Sequence, residues 1–481
     1  MAVDFRGHPM FPSTGFNTPT RFEADVYDCE VWGRIPTDID GTFYRVQCDF
    51  QYRPPQNEWP TGFNGDGHVS RFIFRNGNVN YRGRYVKTER LMAERKAHKR
   101  LFGVYRNHYT DDPSVRNIDR SAANTHLYWH GGKLLVLKED SLPWAVHPHT
   151  LETEGRWDFH GKYTATSMSA HPKIDPVTGQ MIAYGYQAKG DLTDDNAVYT
   201  IDKSGHIVNE VWFKVPYVGI QHDIALTQKY IVFPVIPRVT SDARLRSGEP
   251  MWEWDGSKPT MVGILPRDGG AKDIRWFRGP ARNTLHFLNA VDTRDGKVIM
   301  DLPCSDGERD PSRLVRWTFD MRSRKKDAFE EEVLSDANGV LTRMDDRYLS
   351  LPYRYSYIGN RDPGLKFDEK RAGGMRGFVT NQYLRVDVTN PKAPPGKYFV
   401  GEVQGLQECC FVPRKGSKGE GDGYLMGIAS NYETMSSDLV IVDASRMEDG
   451  AIATVKLPFR LRSGTHTNWF PANELPAWEE T

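Results

Sequence analysis

Short apolar segments separated by turn signals recur along almost the whole chain. Residues 68–86, 126–140 and 197–213 each contain two apolar runs with Asn-Gly, Gly-Gly or Ser-Gly between them. Such a pattern predicts a β-hairpin, because these dipeptides adopt the positive φ angles of tight turns. The order of strand, Asp, turn and strand in residues 198–210 is typical of propeller blades. The pattern therefore predicts an all-β fold of many short antiparallel strands.

Helical patterning is confined to one short stretch. Residues 89–102 are the best helix candidate, and they overlap the densest basic stretch of the sequence, Arg90 to Arg106. Glu89 and Glu94 interrupt the basic side chains of this helix, so we interpret them as a solvated helix face rather than a site for a polyanion. No change in composition marks a linker. We therefore expect a single domain spanning residues 1–481.

Composition and charge narrow the class of protein. The 43 Gly, 30 Pro and 12% aromatic residues favour strands and turns. Lys+Arg and Asp+Glu are equal at 63 each, which argues against nucleic acid as a partner. No apolar run approaches the roughly 18 residues of a membrane span, and no signal-peptide pattern opens the sequence. Five cysteines without a CxxC motif indicate neither disulfides nor zinc, so we expect a cytoplasmic protein without stable membrane insertion.

Four of the fourteen histidines lie beside apolar, strand-like segments, where an imidazole needs a partner or a metal. With blades of roughly 60 to 70 residues, they are about one, one and three blades apart. Innermost strands of different blades converge, so the four rings could meet at one metal ion. Neutral imidazoles suit iron, zinc and copper alike, and separately satisfied core histidines are the alternative. The four are His171, His222, His286 and His466.

At these residues the sequence resembles the carotenoid cleavage oxygenase superfamily, and more closely its lignostilbene dioxygenase branch. Matching motifs occur in family order at residues 33–46, 63–74, 123–127, 222–227 and 457–469, among others. Each motif is weak alone, whereas their order is specific. The resemblance implies a seven-bladed β-propeller with a few helices and loops capping the active-site face. It also implies one Fe(II) ion held by His171, His222, His286 and His466.

The resemblance further implies glutamates that accept hydrogen bonds from the ligand imidazoles and so fix their ring angle. Glu139 and Glu408 match two of these positions. At the third, Val340 stands where the family has glutamate. This departure bears on iron affinity.

The resemblance to the lignostilbene dioxygenase branch depends on two further residues. Lignostilbene-cleaving and isoeugenol-cleaving enzymes bind the substrate's 4-hydroxyl with a tyrosine and a lysine, which Tyr105 and Lys138 match. Phe63 matches a substrate-stacking aromatic residue, and Thr125 a threonine near the open iron position. Without the resemblance, Tyr105 would be interpreted as a surface tyrosine and Lys138 as a lysine whose ammonium reaches solvent.

The resulting hypothesis is an Fe(II)-dependent oxygenase that uses O₂ to cleave the central C=C bond of 4-hydroxylated stilbenes into two aromatic aldehydes. Its partners would be a small phenolic substrate and O₂, and a homodimer is the candidate assembly. One alternative is cleavage of 4-hydroxyphenylpropenes such as isoeugenol to vanillin, since residues 272–281 and 453–462 also resemble that subgroup. Apocarotenoid cleavage and a non-catalytic binding propeller are further alternatives. The sequence leaves the substituents on the second ring open.

Overall fold

The structure is a computed structural model that describes residues 15–52, 64–323, 327–366 and 380–478. Strands dominate this part of the chain. In chain order they begin with β1 (Ala24–Val26), β2 (Val31–Gly33), β3 (Gly41–Asp49), β4 (Asp66–Arg75), β5 (Asn78–Tyr85), β6 (His126–His130), β7 (Lys133–Leu137), β8 (Trp144–Val146), β9 (Thr153–Arg156), β10 (Lys173–Ile174), β11 (Met181–Tyr186), β12 (Asp195–Ile201), β13 (Ile207–Lys214), β14 (Gly219–Ile220), β15 (Ala225–Leu226) and β16 (Tyr230–Val239). They continue with β17 (Glu253–Trp254), β18 (Thr260–Pro266), β19 (Arg275–Gly279), β20 (Asn289–Asp292), β21 (Lys297–Cys304), β22 (Arg313–Asp320), β23 (Glu330–Ser335), β24 (Thr342–Arg343), β25 (Tyr355–Asn360), β26 (Gln382–Asp387), β27 (Gly396–Phe399), β28 (Gln404–Pro413), β29 (Gly423–Asn431), β30 (Ser436–Asp443), β31 (Ala451–Lys456) and β32 (Gly464–Pro471).

The chain forms two compact units. Unit 1 comprises the described residues of Met1–Trp157, Gly359–Leu384 and Gly396–Thr481. Unit 2 comprises those of Asp158–Ile358 and Arg385–Pro395. The expectation of one domain over residues 1–481 stays a prediction.

Seven sheets are formed within the described ranges. Three belong to unit 1, with strand orders β1-β5-β4-β3-β32, β2-β31-β30-β29-β28 and β6-β7-β8-β9. Three belong to unit 2: β10-β11-β12-β13, β20-β21-β22-β23, and β14-β16-β18-β19 with β15 and β17 also paired to β16. The seventh has the order β24-β25-β26-β27. Most neighbours in a sheet are also neighbours in the sequence, which is the meander expected of propeller blades.

The predicted hairpins at residues 68–86, 126–140 and 197–213 are present as β4–β5, β6–β7 and β12–β13. At the first turn, Asn76 and Gly77 have φ angles of 52° and 82°. Positive φ at both central residues matches the right-handed twist of the paired strands, so the local sequence determines the turn.

Several central strands are buried at every position, because side chains cover both faces of their sheets. β3, β11 and β29 show this pattern, and β3 therefore buries polar residues along with apolar ones. Arg45 on β3 is fully buried and donates to Gln47 Oε1 at 2.7 Å. Such pairing satisfies polar groups that would be costly to bury alone.

Two α-helices, α1 (Glu89–Ala97) and α2 (Asp242–Arg246), occur in the described chain. The predicted helix of residues 89–102 ends early, because His98 adopts a left-handed conformation with φ 53°. The interpretation of its basic side chains as a solvated face is wrong in part. Lys96 and Lys99 are exposed, but Arg100 is buried 3.5 Å from Glu94. Short 3₁₀ turns occupy Gly15–Asn17, His108–Thr110, Pro113–Val115, Ala271–Asp273, Asp346–Tyr348 and Met447–Asp449.

The five cysteines are all buried and free. Within the ranges that the structure describes, no helix is both long and apolar enough to cross a membrane.

Candidate active site

Three loops of unit 2 each place a histidine just ahead of a short strand. His171 precedes β10, His222 precedes β15 and His286 precedes β20. The Nε2 atoms of His171 and His222 lie 3.0 Å apart. The His286 ring centroid lies 5.1 Å from each of the other two ring centroids. Three imidazoles therefore converge in this unit.

Hydrogen bonds from neighbouring residues tie these three loops together. The Ser169 hydroxyl accepts from the His171 backbone N–H at 3.2 Å and donates to the His222 carbonyl at 2.7 Å. The Asp223 carboxylate accepts from the Phe287 backbone N–H at 2.8 Å and lies 2.7 Å from Lys173 Nζ. Sequence reasoning missed Ser169 and Asp223. The one available signal was their position beside the histidines.

The fourth histidine, His466, lies on β32 in unit 1. Its Nδ1 is 3.0 Å from Glu408 Oε1, and Glu408 Oε2 accepts from the Thr467 N–H at 2.6 Å. The register of β28 shifts between Leu406 and Cys409, and such bulges re-aim a side chain. An ionised carboxylate can only accept, so it holds the proton on Nδ1 and leaves the Nε2 lone pair available to a metal.

The buried imidazole of His126 was not among the predicted ligands. The His126 ring centroid lies 4.6 Å from that of His466, and the two rings are tilted by 34°. His126 belongs to the motif at residues 123–127, and nothing in the sequence separates its role from that of a core histidine.

The four predicted ligands form a group that could hold a metal ion. Four neutral nitrogen donors suit a divalent transition metal such as iron. The set consists of His171, His222, His286 and His466.

Tyr105, Lys138 and Glu139 are brought together in unit 1. Lys138 follows β7, its side chain is buried, and its Nζ lies 4.5 Å from the centroid of the Tyr105 ring. The Tyr105 hydroxyl donates to Glu139 Oε1 at 2.8 Å. Burial lowers the pKa of the Lys138 ammonium, while the nearby Asp140 carboxylate acts in the opposite direction. The Lys138 amino group is therefore held in the interior, and Lys138 is not a lysine whose ammonium reaches the solvent.

The other predicted residues are placed as follows. Thr125 is buried, and its hydroxyl donates to Asn124 Oδ1 at 3.1 Å. Val340 lies between β23 and β24 and is 51% exposed. Phe63 lies outside the described residues. The roles assigned to all three stay predictions.

Seven antiparallel sheets and four imidazoles that could hold one metal ion are typical of a metal-dependent β-propeller protein. Residues 17–471 match the family described as "Retinal pigment epithelial membrane protein". The chain belongs to this family, that of the carotenoid cleavage oxygenases.

Several known proteins are similar to this chain over nearly its full length. Isoeugenol monooxygenase of Pseudomonas putida is 40% identical, covering 98% of this chain and 100% of the relative. Lignostilbene-alpha,beta-dioxygenase isozyme III of Sphingomonas paucimobilis is 40% identical, covering 96% and 97%. Resveratrol cleavage oxygenase 1 of Aspergillus fumigatus is 38% identical, covering 100% and 99%. The crystal structure of Pseudomonas brassicacearum lignostilbene dioxygenase superimposes with a TM-score of 0.93 at 37% identity, covering 98% of this chain and 100% of that one.

These comparisons confirm the predicted fold as a seven-bladed β-propeller and the protein as an oxygenase. Enzymes of the family use iron, and the four imidazoles fit such an ion.

Proposed function

We propose that this chain is an Fe(II)-dependent dioxygenase that cleaves the central C=C bond of 4-hydroxylated stilbenes with O₂, giving two aromatic aldehydes. The observation that carries the proposal is the buried Lys138 Nζ, 4.5 Å from the centroid of the Tyr105 ring, with Glu139 accepting from the tyrosine hydroxyl. A buried cation favours an ionised phenol as its partner. Relatives named for lignostilbene and resveratrol cleavage support the same substrate class.

The residues that would hold the iron are His171, His222, His286 and His466. Iron bound there would supply the activation of O₂. The chain's part is to fix the ring angles. Glu408 does so for His466 through Nδ1, while Ser169 and Asp223 anchor the backbone on either side of the three loop histidines.

Lys138 provides the charge that the substrate needs. An ammonium next to the 4-hydroxyl lowers the phenol's pKa and favours phenolate. Phenolate electron density reaches the para alkene by conjugation, which makes that double bond more nucleophilic. Because this charge matters most as the alkene is attacked, Lys138 should act more on turnover than on binding.

Tyr105 and Glu139 offer a route for the phenol's proton. The tyrosine hydrogen is donated to Glu139, so the oxygen of Tyr105 keeps a lone pair that can accept from the substrate hydroxyl. A proton leaving the phenol would pass to Tyr105 as the tyrosine proton moves to Glu139. The pair therefore serves as the acceptor that completes ionisation.

The second candidate function is cleavage of a phenylpropene side chain. Isoeugenol monooxygenase of Pseudomonas putida is as similar to this chain as the lignostilbene enzyme of Sphingomonas paucimobilis. Tyr105 and Lys138 would serve both reactions, because both substrates carry a 4-hydroxyl. Cytoplasmic location and a homodimeric assembly stay predictions.

The experiment is a substrate panel assayed for aldehyde products under air with the iron-loaded enzyme. It compares 4-hydroxystilbene, isoeugenol and an apocarotenoid, with chelator-treated enzyme as the control. We expect two aromatic aldehydes from the stilbene and the highest kcat/KM for that substrate. Faster cleavage of isoeugenol would favour the second candidate, and cleavage of the apocarotenoid alone would contradict both.

A further inference from the structure

Asn124 is a fully buried amide that contacts several parts of the site in unit 1. Its Oδ1 accepts from Lys138 Nζ at 2.8 Å and from the Thr125 hydroxyl at 3.1 Å. Its backbone carbonyl accepts from the Thr465 hydroxyl at 2.9 Å, and Thr465 directly precedes His466. One residue thus joins the phenol-binding lysine to the strand that carries a candidate metal ligand.

The orientation of the Asn124 amide follows from its contacts. Nδ2 donates to the Gly65 carbonyl at 2.6 Å, and an amide oxygen in that place would face another acceptor. The amide oxygen therefore faces Lys138. This oxygen gives the ammonium a hydrogen-bond partner that carries no formal charge, so the positive charge is held without being neutralised by that partner.

The backbone next to Asn124 has an unusual conformation, and contacts on both sides hold it in place. Ala123 has a φ of 44°, which is rare for a residue other than glycine. Gly67 approaches so closely that a Cβ there would lie 1.9 Å from the Ala123 carbonyl oxygen. On the other side, the Thr125 N–H donates to the Leu137 carbonyl at 3.0 Å, one residue before Lys138. Such strained and well-anchored backbone is concentrated at functional sites.

We propose that Asn124 is a positioning residue, which holds the Lys138 ammonium in place for the substrate's 4-oxygen while leaving its charge available to the phenolate. This inference rests on the proposed function, because it assigns Asn124 a role only through Lys138. A carboxylate at the same place would bind the ammonium more tightly but would compete with the phenolate for its charge.

The test measures the charge of bound substrate directly. The iron-loaded enzyme is mixed with 4-hydroxystilbene without O₂, and the longer-wavelength absorption of its phenolate is followed against pH. We expect wild type to ionise the bound phenol at a lower pH than free 4-hydroxystilbene requires. In Asn124→Ala the ionisation should move to higher pH, and turnover under air should fall roughly tenfold, which is typical of residues coupled in one hydrogen-bond network.

Two comparisons distinguish positioning from a structural role. Exposed Asn117→Ala should behave as wild type. In the Lys138→Met background, Asn124→Ala should cause no further loss, because its effect passes through the lysine. If Asn124→Ala melts at much lower temperature, Asn124→Ser replaces it, since a shorter polar side chain also withdraws the oxygen from Lys138.

The outcomes separate this inference from the proposed function. If Lys138→Met abolishes ionisation of the bound phenol while Asn124→Ala leaves it at wild-type pH, the Asn124 inference is wrong and the proposed function stands. If Asn124→Ala lowers turnover by the same factor in the wild-type enzyme and in the Lys138→Met background, the Asn124 inference is also wrong. If wild type itself binds 4-hydroxystilbene only as the neutral phenol, the phenolate reading of the proposed function is wrong.

Discussion

Two regions of the molecule hold their functional side chains by different means. In the histidine corner of unit 2, formed by His171, His222 and His286, the loops that carry the rings are tied together through Ser169 and Asp223. Tyr105, Lys138 and Glu139 of unit 1 form what we call the phenol corner, after the role proposed for it. There the side chains contact one another directly, and the buried Lys138 Nζ lies 4.5 Å from the centroid of the Tyr105 ring.

The difference indicates that the histidine corner depends mainly on geometry and the phenol corner mainly on charge. Neutral imidazoles bind a metal if their angles are right, so the histidine corner needs rigid loops more than charge. A nearby cation favours the ionised form of a phenol, so under the proposed function the phenol corner needs an ammonium kept from solvent. Substitutions in the first region should therefore remove metal, whereas those in the second should slow turnover with the metal retained.

The largest effect is expected from removing a ligand. His222→Ala should leave the purified protein without bound iron and without aldehyde-forming activity, because the metal site then lacks one of its four imidazole donors. Metal analysis by atomic emission checks the first point. His206→Ala, at an exposed histidine on the hairpin of β12 and β13, is the matched control and should keep both properties. Full iron and activity in His222→Ala would remove that residue from the site.

Lys138→Met should keep the side-chain volume while removing the charge. A loss of about 3 kcal/mol of transition-state stabilisation would slow turnover of 4-hydroxystilbene by more than 100-fold. Iron content should stay at the wild-type level. The control is Lys133→Met on β7, where the native lysine pairs with Glu154 at 2.6 Å near the surface. Wild-type turnover by Lys138→Met would show that the phenol corner does not act by charge.

Asp223→Asn should loosen the histidine corner without touching a ligand. The substitution removes the charge that faces Lys173 and weakens the anchor beside His286. We expect iron affinity to fall roughly tenfold, at the lower end of the losses seen when groups behind metal ligands are changed. Competition with a chelator measures that affinity, with Asp295→Asn in an exposed turn as the control. An unchanged affinity would mean that the loops are held by other contacts.

The smallest effect is expected at Val340, where the family has glutamate. Since Val340 is 51% exposed, Val340→Glu should not disturb packing. A carboxylate that reaches a ligand imidazole should slow the loss of iron on dialysis by up to roughly tenfold. Val208→Glu on β13, also an exposed valine, is the control. Equal rates in both variants would show that the missing glutamate is compensated elsewhere.

The sequence predicted features that depend on local patterns. Asn76-Gly77 and Gly131-Gly132 mark their hairpins because a tight turn needs positive φ within a few residues. The spacing of the histidines indicated that they could meet, since each falls beside a strand of a different sheet. The fold followed mainly from the order of motifs that resemble a known family.

Features that depend on distant contacts could not be predicted. Asn124 contacts Gly65, Lys138 and Thr465, which lie 59, 14 and 341 positions away in the chain. No local sequence pattern links these residues, so the contacts of Asn124 could be identified only from the three-dimensional structure. Similarly, Arg100 belongs to a basic stretch typical of solvated helices, but Glu94 lies close enough to pair with it in the interior.

Under the proposed function, cleavage requires an ionisable 4-hydroxyl on the substrate. This requirement is tested most directly by comparing 4-hydroxystilbene with 4-methoxystilbene under air, with the iron-loaded wild-type enzyme and quantified aldehyde products. The methoxy compound keeps the ring and the alkene but cannot become a phenolate. We expect aldehydes from the phenol and a rate at least roughly 100-fold lower for the ether. Equal rates for the two compounds would show that phenolate formation is not needed, and would favour direct attack on the alkene without help from the phenol corner.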